Sequence, residues 1–216
     1  MGRTRWIAAM TACVSLLAAC GGSTNSGTAT KTGDPIIFGS ALSVTGQQAK
    51  EGALTKQGYD LWLDWVNQQG GIEVKGVKHP VQILYQDDQS KPDQSAILVQ
   101  KLITEQKAQY ILGPYGSAAS ATDAVVAEKN GIPMVEANGA AQSIFSKGYK
   151  FTFAVLSPAN KYLTGVIDMA ATLTPRPTTI AMLSADDNFS LEVAKAVVDY
   201  APTKGINVVF NQKYPN

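Results

Sequence analysis

Along most of the chain, short apolar segments alternate with longer segments in which apolar residues recur at helical spacing. The run from Ile36 to Leu42 is apolar or small throughout, which is typical of a strand buried on both faces of a sheet. The next segment carries apolar residues on one helical face from Leu54 to Val66, and Gly70-Gly71 ends it. Strands that alternate with helices predict right-handed βαβ units and a mostly parallel sheet covered on both faces.

The same alternation continues to the end of the chain. Further strands are predicted at 81–85, 110–112, 133–135, 149–154, 179–183 and 207–210, and further helices at 92–107, 117–130, 159–173 and 190–200. We divide the chain into a leader at 1–19, a tether at 20–34, an α/β lobe at 35–155 and the start of a second α/β lobe at 156–216. The second lobe has two clear strands, fewer than a self-sufficient sheet usually contains, so we expect the sequence to be incomplete.

The leader has the composition of a secretion signal. Arg3 and Arg5 precede an apolar run that is too short to span a bilayer, and Leu17-Ala18-Ala19-Cys20 follows it. This tetrapeptide resembles the bacterial lipobox, whose cysteine is lipidated and becomes the new N-terminus. The Gly/Ser/Thr-rich segment after it is typical of a flexible spacer. We predict an extracytoplasmic protein anchored to a membrane through Cys20; the alternative is an ordinary signal peptide that contains a cysteine.

Composition narrows the classes of function. Hydrophobic residues make up 45% of the chain and charged residues 16%, which indicates a globular protein with a sizeable core. The net charge of +1 gives no reason to expect nucleic acid as a partner. Cys13 falls in the leader and Cys20 at the anchor, which leaves no cysteine for a disulfide. His79 is the single histidine, so we exclude zinc sites of His/Cys type and expect neither a metal nor a cofactor.

Four loops follow predicted strands, where open α/β sheets bind their ligands: 43–52, 87–90, 113–120 and 136–141. In the third loop, Gly113 and Gly116 permit a tight turn, and Ser117 stands at the predicted N-cap of a helix. The hydroxyl and the free N–H groups of the first helical turn suit a carboxylate. The alternative is that Ser117 only caps its own helix. The loop contains neither a P-loop nor a nucleophile-elbow motif.

We predict structural rather than ligand-binding or catalytic roles for three other groups of polar and aromatic residues. We interpret Asp87-Asp88 as a turn that caps the helix at 92–107 rather than as a catalytic pair. Asp186-Asp187-Asn188 is interpreted as a solvated loop, because its spacing does not supply a calcium cage. Trp62 and Trp65 are predicted to pack in the core.

Several motifs, in order along the chain, resemble those of one known family. They occupy 38–46, 66–72, 85–88, 111–114, 131–135, 148–151 and 180–183. Together they resemble the type I periplasmic binding proteins of the leucine/isoleucine/valine group, which are solute receptors of ABC importers. The resemblance implies an α/β fold with two parallel-sheet βαβ lobes joined by a hinge, the second lobe being incomplete in this chain.

The resemblance also implies positions of ligand contact. Ser117 matches the serine whose hydroxyl holds the ligand carboxylate, with backbone N–H groups such as that of Ala118 assisting. Asn138 and Gly139 match positions that supply backbone contacts to the ligand.

The resemblance matches three further positions, and at two of them this chain has a different residue from the one that the family commonly has. Ala140 stands where the family commonly has threonine or serine, and the missing hydroxyl weakens the case for an ordinary α-amino acid. Glu51 falls where a tyrosine can close over the ligand, which is another departure. Phe189 matches an aromatic residue of the second lobe that faces the cleft.

We therefore predict a lipid-anchored extracytoplasmic receptor that binds a small polar ligand, such as a branched-chain amino acid or a related amide, and delivers it to an ABC permease in the membrane. One alternative is a ligand-sensing module of the same fold coupled to a signalling partner. A secreted hydrolase is the other, and it would need His79 as a base near Ser117. We expect no enzymatic activity.

Overall fold

The computed structural model describes residues 32–215, so the predicted leader, Cys20 and the tether up to residue 31 lie outside the described residues. The strands are β1 (Ile36–Leu42), β2 (Ile72–Val74), β3 (Val77–His79), β4 (Val81–Asp87), β5 (Tyr110–Leu112), β6 (Met134–Glu136), β7 (Thr152–Ala154), β8 (Thr179–Ala185) and β9 (Asn207–Tyr214). The α-helices are α1 (Ala49–Gln68), α2 (Pro92–Thr104), α3 (Ser117–Asn130), α4 (Gln142–Phe145), α5 (Thr164–Ala170) and α6 (Asn188–Tyr200). Short 3₁₀ turns occupy Ala159–Lys161 and Ala201–Lys204.

Five parallel strands form the main sheet in the order β4-β1-β5-β6-β7. The connection from β1 to β4 crosses the sheet in one direction, and the connections from β4 to β5 and from β5 to β6 cross it in the other. Right-handed crossovers therefore place α1 on one face and α2 with α3 on the opposite face. The predicted parallel α/β architecture is confirmed.

The main core lies on the face covered by α2 and α3. It includes the fully or nearly fully buried side chains of Leu98, Leu102, Ile111, Met134 and Ile144. These residues come from α2, α4 and two strands, and the same cluster includes Ala124 and Ala127 of α3, so it joins the sheet to that helical layer.

On the opposite face, α1 packs against β1 and β4. Trp62 packs edge-on against Phe38, with ring centroids 5.2 Å apart, as predicted for a core residue. The prediction for Trp65 is wrong, because its side chain is 57% exposed. Residues three apart on a helix point about 60° away from each other, so only one side of this apolar stripe meets the sheet.

A second parallel sheet pairs β8 with β9, and α6 connects the two strands. Its core gathers around Ile167, Val197, Ala201 and Ile206. The helix predicted at 159–173 is wrong in extent, since a 3₁₀ turn at Ala159–Lys161 precedes a helix that spans only Thr164–Ala170. Within the described part of the chain, no helix has the length and apolar character that a bilayer crossing requires.

Two small elements were not predicted. The hairpin of β2 and β3 turns through Lys75 and Gly76, which both have positive φ and so match the primed turns of tight hairpins. The segment Gln142–Phe145 forms the single-turn helix α4 inside a predicted polar loop. Both elements are too short to produce a clear periodic pattern in the sequence.

Candidate functional site

The four predicted loops meet at the carboxyl edge of the main sheet. Thr45 Oγ1 donates to Asp87 Oδ2 over 2.6 Å, which joins the loop after β1 to the end of β4. Tyr115 and Asn138 form a parallel backbone bridge, which joins the loop after β5 to the loop after β6. Parallel strands bring all their carboxyl ends to one edge, and this edge is where such sheets bind ligands.

Ser117 is the first residue of α3 and does not cap the helix. The N-cap is Gly116, with φ 85° and ψ 144°, and the cap position makes no side-chain hydrogen bond. Both the predicted N-cap position of Ser117 and the interpretation that it caps its own helix are therefore wrong. Instead, Ser117 Oγ accepts a hydrogen bond from the Ala141 N–H over 3.1 Å, and the residue is only 5% exposed.

The first turn of α3 has hydrogen-bond donors that are available to a ligand. Within the described residues, the hydrogen bonds of the structure leave the Ser117 hydroxyl proton and the N–H groups of Ser117 and Ala118 unused. The N-terminus of a helix carries partial positive charge, and its free N–H groups bind anions. This turn can therefore hold a carboxylate.

Glu136 is a buried carboxyl group at the end of β6 that sequence reasoning did not single out. Its Oε1 accepts hydrogen bonds from the N–H groups of Asn138 at 2.8 Å and Gly139 at 2.6 Å. Desolvation raises the pKa of Glu136 from 4.5 to about 7, although the hydrogen bonds from Asn138, Ser120 and Gly139 lower it. The available signal was a glutamate that ends an apolar strand just before a glycine-containing loop.

A cleft of about 480 Å³ opens beside these loops. Its wall includes Glu51, Leu54, Tyr59, Tyr115, Ala137 and Asn138. Glu51 and Asn138 were predicted from the sequence as ligand-site residues, whereas the two tyrosines were not. Tyr59 lies eight residues after Glu51 on α1. This spacing was the one sequence signal that could have predicted Tyr59 on the same helical face as Glu51.

The two tyrosines of the cleft wall are polar but held in partly desolvated surroundings. The Tyr59 hydroxyl donates to the Gly113 carbonyl over 2.6 Å. Burial, followed by the charge of Glu136, raises the pKa of Tyr59. Burial also raises the pKa of Tyr115, and the charges of Glu51 and Asp187 add to that rise.

The remaining predicted residues take different places. Ala118 is exposed, whereas Gly139 and Ala140 are buried in the loop that contacts Ser117. The wall of the cleft contains neither Phe189 nor Ser117, Ala118, Gly139 and Ala140, and the Phe189 ring packs edge-on against Tyr162 at 5.0 Å. The structure thus brings Ser117 and the 138–141 loop together and leaves Phe189 outside this group.

The two acidic segments, Asp87-Asp88 and Asp186-Asp187-Asn188, make hydrogen bonds that differ from those predicted from the sequence. Neither Asp87 nor Asp88 caps α2, whose N-cap is Lys91 without a side-chain hydrogen bond, so the predicted capping is wrong. Desolvation raises the pKa of Asp87, but hydrogen bonds from Thr45 and from the N–H groups around it outweigh this and leave the pKa lowered. The second acidic segment is not simply a solvated loop, because Asp187 caps α6 through the Ser190 N–H at 2.9 Å.

His79 is not placed to act on Ser117. It ends β3 just before the amino end of β4, and its Nδ1 lies 2.8 Å from the Asp34 carbonyl. Ser117 follows the carboxyl end of β5, and a strand of seven residues such as β4 separates the two edges by roughly 20 Å. The hydrolase interpretation therefore lacks its base. The described residues also contain no group of three or more His, Cys, Asp or Glu side chains suited to a metal ion.

Comparison with known proteins gives a consistent picture. Residues 35–216 match the family described as periplasmic binding protein. A curated relative, the Leu/Ile/Val-binding protein homolog 8 of Brucella abortus (strain 2308), is 26% identical over 188 residues, which is 84% of this chain and 45% of the relative.

Solved structures share the fold. The solute-binding protein of an ABC transporter from R. palustris, in complex with 4-hydroxybenzoate, is 26% identical with a TM-score of 0.73, covering 84% of this chain and 47% of that one. The branched-chain amino acid transporter substrate-binding protein from Streptococcus pneumoniae, in complex with isoleucine, is 20% identical with a TM-score of 0.73, covering 84% and 50%.

The chain spans about half the length of the relatives that it matches. The family match nevertheless extends over the whole α/β region predicted from the sequence, and the structural neighbours have the predicted fold. The resemblance drawn from the motifs is thereby confirmed, and the chain belongs to the periplasmic binding protein family, with the type I fold of the Leu/Ile/Val-binding proteins.

Proposed function

We propose that the protein is the extracytoplasmic, lipid-anchored solute-binding receptor of an ABC importer, and that its ligand is a small organic carboxylate. Membership of the periplasmic binding protein family supports the receptor role and a location outside the cytoplasm. The ABC permease is the partner that this role requires. The family is one of solute receptors and not of enzymes.

The carboxylate is proposed from the geometry of Ser117. Its hydroxyl already accepts the Ala141 N–H, so its own proton remains to be donated to a ligand. The free N–H groups of Ser117 and Ala118 add two donors at the positive end of α3. Isoleucine and 4-hydroxybenzoate, the molecules bound by two of the structural neighbours, differ in size and polarity but both carry a carboxylate.

The opposite end of the ligand is expected to donate hydrogen bonds. Glu51 and Tyr115 lie in the cleft wall, and a carboxylate side chain accepts from an ammonium or a hydroxyl group. Ala140 offers no hydroxyl and is 3% exposed, so the backbone rather than this side chain is available for contact. An amino acid and a hydroxylated aromatic acid both satisfy these conditions.

Calorimetry with matched acids and amides tests the proposal. The ligands are isoleucine, isoleucinamide, 4-hydroxybenzoate and 4-hydroxybenzamide, offered to the 216-residue chain and to the full-length gene product. We expect at least one acid to bind the full-length protein and its amide to bind at least about tenfold more weakly. Equal affinity for an acid and its amide would contradict the carboxylate.

The variant Ser117→Ala measures the contribution of the hydroxyl. Loss of a hydrogen bond to a charged ligand should weaken binding by about 10- to 100-fold. Ser146→Ala is the matched control, because Ser146 is exposed and its side chain makes no hydrogen bond within the described residues. If Ser117→Ala binds as tightly as Ser146→Ala, Ser117 does not contact the ligand.

A further inference from the structure

Glu136 links the interior of the main sheet to the loop beside Ser117. It is 0% exposed, and its Oε1 accepts the N–H groups of two successive loop residues, Asn138 and Gly139. The same loop then donates the Ala141 N–H to Ser117. One carboxyl group, one loop and the serine of the proposed ligand site are therefore connected by consecutive hydrogen bonds.

The loop is packed too closely to adopt another path without cost. A Cβ atom on Gly139 would overlap the Ser120 side chain, and a Cβ atom on Gly113 would overlap Glu136 Oε2. The backbone therefore approaches the carboxyl group closely on both sides, and glycine at 113 and 139 is what permits this approach.

No cation offsets the charge of Glu136. The titratable groups that face it are Asp123 from α3 and Tyr59 from α1, with Asp88 acting on Asp123 from the end of β4. None of the three carboxyl groups takes part in an ion pair within the described residues. Glu136 Oε2 also lacks a hydrogen-bond partner there. The N–H groups of Asn138 and Gly139, together with the Ser120 side chain, are thus the contacts that stabilise the ionised form.

We propose that Glu136 is a positioning residue of the ligand site, whose ionised carboxyl group holds the 137–141 loop in the conformation that presents Asn138 and Ser117 to the ligand. A carboxylate accepts N–H hydrogen bonds more strongly than a neutral carboxyl group does. Protonation therefore loosens the loop at its base. The part of this proposal that concerns the ligand rests on the proposed function, whereas the part that concerns the loop does not.

The loop is tested first, without any ligand. Backbone amide shifts of the 216-residue chain are followed by NMR between about pH 5 and 9. We expect the Asn138 and Gly139 amides to titrate together with a midpoint near pH 7, where burial places the pKa of Glu136, and the Ala141 amide to follow with a smaller change. The amide of Gly148, where an added Cβ atom would meet nothing within 4 Å, is the internal control.

Two variants separate Glu136 from its neighbours. Glu136→Gln keeps an acceptor for the two N–H groups but does not ionise, so the shared titration should disappear. Asp123→Asn removes an acidic neighbour whose own pKa is raised by burial and by the charge of Glu136, so that it is still protonated when Glu136 ionises; the titration should therefore persist with little change in midpoint. The proposal is overturned if the Asn138 and Gly139 amides do not titrate in the wild-type chain, or if they titrate equally in Glu136→Gln. The wild-type result decides even if a variant does not fold.

The ligand is tested second, with the full-length gene product. At about pH 8, Glu136→Gln should bind isoleucine or 4-hydroxybenzoate about tenfold more weakly than wild type, while the exposed control Glu105→Gln should bind equally. Equal binding by Glu136→Gln would overturn the positioning role. If the wild type binds no carboxylate at all, the proposed function fails, and the amide titration still decides whether Glu136 holds the loop.

Discussion

At the scale of single residues, three buried carboxyl groups distinguish the carboxyl edge of the main sheet. Asp88, Asp123 and Glu136 are each 0% exposed. Asp88 accepts from the Ser43 hydroxyl at 2.6 Å and Asp123 from the Ser95 hydroxyl at 2.8 Å. Each group keeps one oxygen without a partner in the described residues, and buried charges with few partners are costly. Proteins retain such groups mainly where function requires them.

Buried acids make a definite prediction for the pH dependence of stability. The pKa of Glu136 rises from 4.5 to about 7 on folding, so between these values the folded chain binds more protons than the unfolded chain. The free energy of unfolding should therefore fall as pH rises from 4.5 to about 7 and should level off above that, by about 3 kcal/mol for Glu136 alone. Asp123, whose pKa is also raised by burial, acts in the same direction.

Urea unfolding of the 216-residue chain at several pH values measures this dependence. Glu136→Gln should flatten the slope between pH 4.5 and 7. Asp60→Asn is the control, because hydrogen bonding to Lys56 lowers the pKa of Asp60 and confines its contribution to the acid side, where it is lost as pH falls. An unchanged slope in Glu136→Gln would mean that this carboxyl group is not protonated in the folded chain.

At the scale of elements, α1 contains two glycines in opposite surroundings. A Cβ atom on Gly52 would overlap the backbone carbonyl of Ser43, so the helix needs glycine where it approaches the end of β1. A Cβ atom on Gly58 would meet nothing within 4 Å. The same residue type in the same helix is thus required at one position and only tolerated at the other.

Alanine at these two glycines should change stability with opposite signs. Gly52→Ala should lower the free energy of unfolding by about 1–3 kcal/mol, because backbone must move. Gly58→Ala should raise it by up to about 1 kcal/mol, because alanine loses less entropy in a helix. Urea unfolding followed by circular dichroism compares the two variants, and a change of the same sign in both would contradict the packing at Gly52.

Glu192 of α6 supplies the cap that α4 lacks. The N-cap of α4 is Ala141, without a side-chain hydrogen bond, and the Glu192 carboxylate accepts the N–H groups of Gln142 and Ser143. This contact joins α4, which lies between β6 and β7 of the main sheet, to the helix between β8 and β9.

Removal of the Glu192 carboxylate should expose those two amides. In Glu192→Ala, we expect hydrogen exchange at Gln142 and Ser143 to quicken by about fivefold, the effect of losing roughly 1 kcal/mol of capping. Glu105→Ala, at the exposed end of α2, serves as the matched control and should leave both amides unchanged. Protection that persists in Glu192→Ala would show that other contacts hold α4.

At the scale of the whole molecule, we propose that a lipid anchor at Cys20 holds the α/β body at a membrane. Cys20 stays a prediction, because it lies outside the described residues. We expect Cys20→Ala to move the full-length protein from the membrane fraction to the soluble fraction of its bacterial host and to abolish the lipid mass on the mature N-terminus. Cys13→Ala is the matched control, because Cys13 falls in the predicted leader and should leave both readouts unchanged. Membrane retention of Cys20→Ala would favour an ordinary signal peptide.

Much of the fold was predictable because its signals are local. The bounds of β1 and α3 agree with the prediction, since a continuous apolar run and a small-residue helix between glycines are both visible in the sequence. The helix predicted at 159–173 was wrong in extent, and the chain at its predicted start is tied to another loop, because the Ala159 N–H donates to the Ala140 carbonyl over 2.7 Å. The sequence cannot reveal that partner, which lies in another loop.

The residues of the candidate ligand site, like the elements of the fold, were predictable only in part. Ser117, Asn138 and Glu51 were predictable as members of loops at strand ends or of the family pattern, because the βαβ order alone brings those loops to one edge. That Ser117 accepts a loop N–H instead of capping α3, and that Glu136 supports that loop, was not predictable. Both facts depend on hydrogen bonds between segments that are distant in sequence or buried.

The sequence by itself determined the parallel α/β architecture, the family and the loops that can meet a ligand, because periodicity and motifs are properties of neighbouring residues. The tertiary structure alone decided which side chains are buried, which N–H groups remain free and which carboxyl group keeps a raised pKa. These properties depend on desolvation and on partners supplied by other segments, and neither exists until the chain has folded.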